Sequence, residues 1–155
     1  QLEKVLEDNK HRFIVGKDDL ANAIAKQELR YFLLPRTATD VREKTFNYCR
    51  AFHLLLEKTQ ELVKLGYVVD TKSSNVNGSG FLLITTKPPK LVKQDLDNLT
   101  KEVKQKLLAE KEADKQAFIA ELVAEQEAQL LLDAQVEAAA KAAKLASDIS
   151  ALISK

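Results

Sequence analysis

From Lys90 to Lys155, 66 positions carry neither glycine nor proline. Nothing there stops a helix, so the spacing predicts a long helical segment as the dominant element. Measured from Val92, one straight helix would extend roughly 95 Å at about 1.5 Å per residue. No small head could cover that length. An apolar stripe along it needs a partner, either its own second half folded back as a helical hairpin or another molecule.

The first 90 residues differ in kind. They hold eight of the nine aromatic residues, all four glycines and all three prolines; beyond Pro89 only Phe118 is aromatic. The division predicts a small α+β head over 1–90 and a helical region over 91–155. The fold class expected is mainly α: a helical head with one β-hairpin at about 67–87, then a coiled-coil-like long helix or helical hairpin.

Within the head, Asp18 and Asp19 open a helix that Pro35 stops near Leu34. Asp40 followed by Glu43 has the form of a capping box. Val41, Thr45, Tyr48, Phe52, Leu55, Thr59 and Leu62 then recur at three and four, and Lys64 with Gly66 supplies a stop. These signals predict one helix from Asp40 to Leu65. Tyr67–Lys72 and Gly80–Thr86 are rich in β-branched and aromatic residues and predict two strands around a mobile loop, Ser73–Ser79. Two strands alone are marginal in water, so this hairpin must lie on the preceding Phe/Leu-rich helix.

The stripe of the C-terminal region is uneven. Val92, Leu96, Leu99 and Val103 keep heptad spacing, but Lys106 and Glu110 then fall on the seam and Ala109–Gln116 is almost wholly polar. A bend near 109–117 is the form a hairpin would take. Periodicity resumes through Ala124, Ala128, Leu131, Gln135, Ala138, Ala142, Leu145, Ile149 and Leu152, alternating fours and threes. That 3.5-residue repeat marks Ala124, Ala128, Leu131, Ala138, Ala142, Leu145, Ile149 and Leu152 as the candidate partner or oligomer seam. Alanine at half the positions lets helices approach closely but buries little area, which predicts a modest association.

Signals for chemistry are sparse. Cys49 and His53, four apart, would share a face of the expected helix, where their apolar neighbours mark them as core residues. Zinc needs two further ligands and His11 is the only other histidine. Glu57/Glu61 and Glu121/Glu125 read as solvated helix-surface pairs. Asn77-Gly78-Ser79-Gly80 lacks the Lys-Ser/Thr of a phosphate loop and precedes a strand where a helix would be required. No nucleophile–base–orienter set, metal cluster or cofactor loop can be assembled, so neither catalysis nor a cofactor is expected.

Charge and composition bound the rest. The net charge is +1, with residues 1–110 at +4 and 111–155 at −3. Lys10, Arg12, Arg42, Lys44, Arg50, Lys87 and Lys90 form a loose basic group, the candidate phosphate contacts of a nucleic-acid reading. One cysteine allows no internal disulfide and fits a reducing, cytoplasmic compartment. No 18-residue apolar run spans a bilayer, and Gln1–His11 shows no secretory core.

The predicted order of two helices, the Leu62-Val63-Lys64-Leu65-Gly66-Tyr67 junction, a hairpin and a long terminal helix resembles winged-helix regulators of the MarR or PadR type over roughly residues 40–110. The resemblance implies a recognition helix leading into a wing, dimerisation through the last helix, and DNA as partner. Two features depart from it: the wing tip Ser73–Ser79 holds no Arg or Lys, and the expected helix places Phe46, Tyr48 and Phe52 where polar groove readers would stand. By general shape the chain is also similar to bacteriophage or bacterial assembly factors and adaptors. The leading expectation is therefore a non-enzymatic interaction or assembly protein that oligomerises or docks on a protein partner through its C-terminal region. The alternative is a winged-helix-like DNA-binding regulator that dimerises there.

Overall fold

A computed structural model describes residues 1–154. Helix dominates, in the elements α1 Leu2–Asn9, α2 Lys17–Tyr31, α3 Phe52–Lys64 and α4 Pro89–Ile153, with a 3₁₀ turn at Lys10–Phe13. Strands β1 Lys44–Cys49, β2 Val68–Val69, β3 Asn75–Asn77 and β4 Gly80–Thr86 form one antiparallel sheet. The α+β class with a long C-terminal helix is as the sequence predicts. Two compact units divide the chain, Val15–Leu108 in one and Gln1–Ile14 with Ala109–Lys155 in the other. The compositional break at 90/91 falls inside the first of these.

Local chemistry accounts for most boundaries. Extended Gly16 precedes α2, whose first turn carries Asp18 and Asp19, where carboxylates favour the helix dipole. The helix ends at Tyr31, short of Leu34, because the residue before Pro35 is driven out of α geometry. At the end of α3, Gly66 takes φ +90°, Tyr67 N–H donates to the Leu62 carbonyl (3.0 Å) and Gly66 N–H to Val63 (3.1 Å). This is the glycine stop the sequence promised.

The predicted helix from Asp40 to Leu65 is corrected: its first half is β1. Thr45, Phe46 and Tyr48 fit a pleated surface better than a helix, and β1 runs in register with β4, Lys44 opposite Thr86 through Cys49 opposite Phe81. Thr45 and Tyr48 satisfied a helical spacing by coincidence. Asp40 caps a turn behind it: its carboxylate accepts the Arg36 N–H (2.7 Å) and the Thr37 hydroxyl (3.2 Å). The Arg36 hydrogen bond chiefly holds its pKa below the ordinary value.

The loop expected to be mobile is also corrected. Ser73–Ser79 contains β3, which pairs with β4 through a tight turn at Asn77–Gly80 where Gly78 takes φ +62°. Asp70 and Ser74 build the connection from β2. The Asp70 carboxylate accepts the Lys72 and Ser73 N–H groups (3.1 and 3.2 Å), and the Ser74 hydroxyl oxygen accepts the Ile84 N–H (2.9 Å). Strand β4 is thus central, with β1 on one edge and β2 and β3 sharing the other.

Helix α3 packs on the face carrying Phe81, Leu83 and Thr85; the Phe52 and Phe81 rings lie 5.9 Å apart. Leu62, Leu83, Ile84 and Cys49 are buried, and Thr85 is fully enclosed with its hydroxyl bonded to that of Thr45. The choice left open at 109–117 resolves to a single helix: α4 runs unbroken through it. Among the described residues no helix is long and apolar enough to cross a membrane.

Candidate functional site

Every residue of α4 from Val123 to Ile153 is exposed. On the predicted seam Leu131 is 62% exposed, Leu145 61%, Ile149 48% and Leu152 72%, with Leu132, Val136 and Ile153 beside them. Polar links in this stretch are local to the helix: Gln129 to Asp133 (2.8 Å), Lys141 to Glu137 (2.9 Å) and Ser154 to Ser150 (2.8 Å). The stripe is a largely apolar face at 3.5-residue spacing, interrupted at Gln135, the kind of patch that marks interaction sites on soluble proteins. Burying the exposed part of its four large residues is worth roughly 1–2 kcal/mol each, about 5 kcal/mol per helix.

Closer to the middle of α4 the surface is covered from within its own unit. The Phe13 ring lies 5.5 Å from that of Phe118, the Arg12 guanidinium sits 5.1 Å over Phe118, and Lys111 Nζ donates to the Arg12 carbonyl (3.2 Å). Sequence reasoning missed this contact. The signal was there: Phe118 is the one aromatic residue after Pro89, and Leu2, Val5, Leu6 and Phe13 fall at spacings that place one face of α1 and the turn inward.

The seven basic candidates divide between the units, Lys10 and Arg12 in one and the remainder in the other. Lys10 pairs with Glu7, and Arg12 stacks on its two aromatic rings. Arg42 is buried, donating to the Leu34 carbonyl (3.0 Å) with Nε 3.7 Å from Asp40. Lys44 pairs with Asp70 and Lys87 with Asp95 (2.5 Å). Arg50 and Lys90 are exposed. Three of these cations, Arg42, Lys44 and Lys87, are therefore turned inward to structural partners, whereas Lys10, Arg12, Arg50 and Lys90 are exposed.

The element order implied by the winged-helix resemblance is likewise altered. Two helices, α2 and α3, do precede β2, but strand β1 stands between them where the expected helix from Asp40 to Leu65 had its first half. Cys49 and His53 do not share a helix: Cys49 closes β1 and is buried, while His53 lies exposed in the first turn of α3. Glu57, Glu61, Glu121 and Glu125 are exposed. Among the described residues no three His, Cys, Asp or Glu side chains converge.

Two polar clusters within Val15–Leu108 tie its elements together. Tyr31, 2% exposed, donates its hydroxyl to Asp95 on α4 (2.7 Å), and Lys87 Nζ reaches the same carboxylate while lying 6.0 Å from the Tyr31 ring. Burial first, then the bond to Asp95, pushes the phenol pKa well above its ordinary value. On the sheet, the Lys44 ammonium and then Ser73 hold Asp70 down to about 2. A cleft of about 640 Å³ lies beside the first cluster, lined by Arg30, Asp40, Arg42, Glu102 and Lys106 among others. Its charges alternate in sign and select no one class of ligand. In comparison with known proteins, the chain matches no family model, no curated protein and no solved structure.

Proposed function

We propose that this is a non-enzymatic interaction or assembly protein that works through the C-terminal part of α4, with another copy of the chain or a different protein covering the seam Ala124–Leu152. One observation carries the reading: the 3.5-residue stripe is exposed along its whole length, including Leu131, Leu145, Ile149 and Leu152. A helix with no tertiary support is marginal in water even when rich in alanine, and a second helix on its apolar face supplies what is missing.

The magnitudes favour a reversible contact. Two copies would gain roughly 10 kcal/mol gross from the large seam residues, against an association cost of about 4–15 kcal/mol. The alanines at 124, 128, 138 and 142 set this limit while letting the partner helix approach closely.

Sedimentation equilibrium of the full chain and of Leu145→Asp, with binding of an environment-sensitive apolar dye, tests the proposal. Self-association that the substitution weakens supports a second copy as partner. A monomer whose dye binding falls on substitution supports a different protein. A monomer with no dye binding, unchanged by the substitution, overturns both.

A further inference from the structure

We propose that the outer edge of β1, with the groove it forms against α3, takes an extended peptide segment of a protein partner that carries a basic side chain. This site lies within Val15–Leu108 and is independent of the α4 seam.

The argument starts from the hydrogen-bond ladder. Lys87 N–H donates to the Glu43 carbonyl (2.9 Å), and Asp70 N–H donates to the Ile84 carbonyl (2.8 Å). In β4, therefore, the odd-numbered residues bond towards β1 and the even-numbered ones towards β2 and β3. Antiparallel alternation then assigns the main-chain groups of Thr45, Asn47 and Cys49 to β4 and turns those of Phe46 and Tyr48 outward. Among the described residues those outward groups find no partner. A row of free donors and acceptors on a six-residue edge strand is the chemistry that recognises another extended backbone.

A groove runs beside that edge, about 410 Å³, between the end of β1 and α3. Asn47 and Cys49 share the sheet face of their register partners Leu83 and Phe81, the face that α3 covers. Every second side chain of an added strand would enter between them and α3. There it meets Leu54, Glu57 and Glu61. Lys58 holds Glu61 (3.4 Å), whereas Glu57 has no ion pair among the described residues. The open carboxylate selects a lysine or arginine at an inward position. A second copy is the poorer occupant: two β1 strands paired antiparallel about Asn47 would set Arg50 of each against Lys44 of the other, like charge against like.

The test selects random linear peptides of about nine residues on the full chain, then measures amide hydrogen exchange with the best binder. The expected binder carries a basic residue among alternating β-branched ones and slows exchange at Phe46 and Tyr48 at least tenfold. N-methylation of its edge-facing amides weakens binding tenfold or more, and Glu57→Gln, at an exposed site, weakens it several-fold. The proposal is overturned if no peptide is selected or if bound peptides leave Phe46 and Tyr48 unprotected. Protection of those amides in the concentrated chain alone, lost on dilution, would overturn it by making a second copy the occupant.

Discussion

Replacing Tyr31 with phenylalanine removes one oxygen from a buried position and leaves the ring, so its effect isolates the hydrogen bond to Asp95 (2.7 Å). A bond to a charged acceptor is worth roughly 1.5–3 kcal/mol. Asp95 keeps Lys87, and its side chain is 21% exposed, so water partly replaces the lost donor and the lower end applies, about 1.5 kcal/mol. For a domain of this size each kcal/mol moves the melting temperature about 4–8 °C, which gives roughly 6–12 °C by scanning calorimetry. The double-mutant cycle with Asp95→Asn should return a coupling of about 1 kcal/mol. A pH series adds an independent readout. Because the folded phenol titrates above its ordinary value, the unfolded chain releases that proton first. The native protein therefore loses stability as pH rises past about 10, by up to about 1.4 kcal/mol per unit. The phenylalanine variant lacks this slope, so the gap between them narrows in alkali. A loss under about 0.5 kcal/mol with no coupling would refute the link between α2 and α4 described above.

Three further outcomes follow from named contacts. Asp70→Asn should lower stability at neutral pH. Since the folded carboxyl titrates near 2, below its unfolded value of about 3.9, its contribution is complete above about pH 4 and lost as pH falls towards 2, so acid denaturation curves of the two proteins converge there. Gly80→Ala should cost about 1–3 kcal/mol in urea titrations, because the added methyl would sit 2.8 Å from the Cys49 carbonyl and against the Tyr48 hydroxyl. A labelled DNA duplex should show no mobility shift even at low salt, because Arg42, Lys44 and Lys87 are committed to internal partners; binding that falls steeply with added salt would revive the regulator reading.

What the sequence revealed depended on how many residues shared one signal. Helix α4 was legible because 66 consecutive positions agree, and the stop at Gly66 because its φ of +90° needs glycine. Strand β1 was not legible. Thr45, Tyr48, Cys49 and Phe52 keep a helical spacing, whereas in the strand Thr45, Asn47 and Cys49 share one face and Phe46 and Tyr48 the other; over so short a run only pairing with β4 decides between them. The turn at Asn77–Gly80 carried its signature openly, but the preceding Ser73 and Ser74 read as loop until the Ser74 hydroxyl is seen standing in for a main-chain group. The seam residues were legible as a pattern. The inward pairing of the basic residues was not, since Lys44–Asp70 and Lys87–Asp95 depend on tertiary placement.

Hydrogen exchange across residues 124–153, followed at chain concentrations of about 1 and 100 µM, tests the central claim most directly, since mass action links protection to partner occupancy. The account predicts amides that exchange quickly in the dilute chain and become protected on concentration or on adding the partner protein, with Leu145→Asp abolishing the gain. Strong protection that is already complete at the lower concentration and indifferent to Leu145→Asp would contradict it, showing that the helix stands without company.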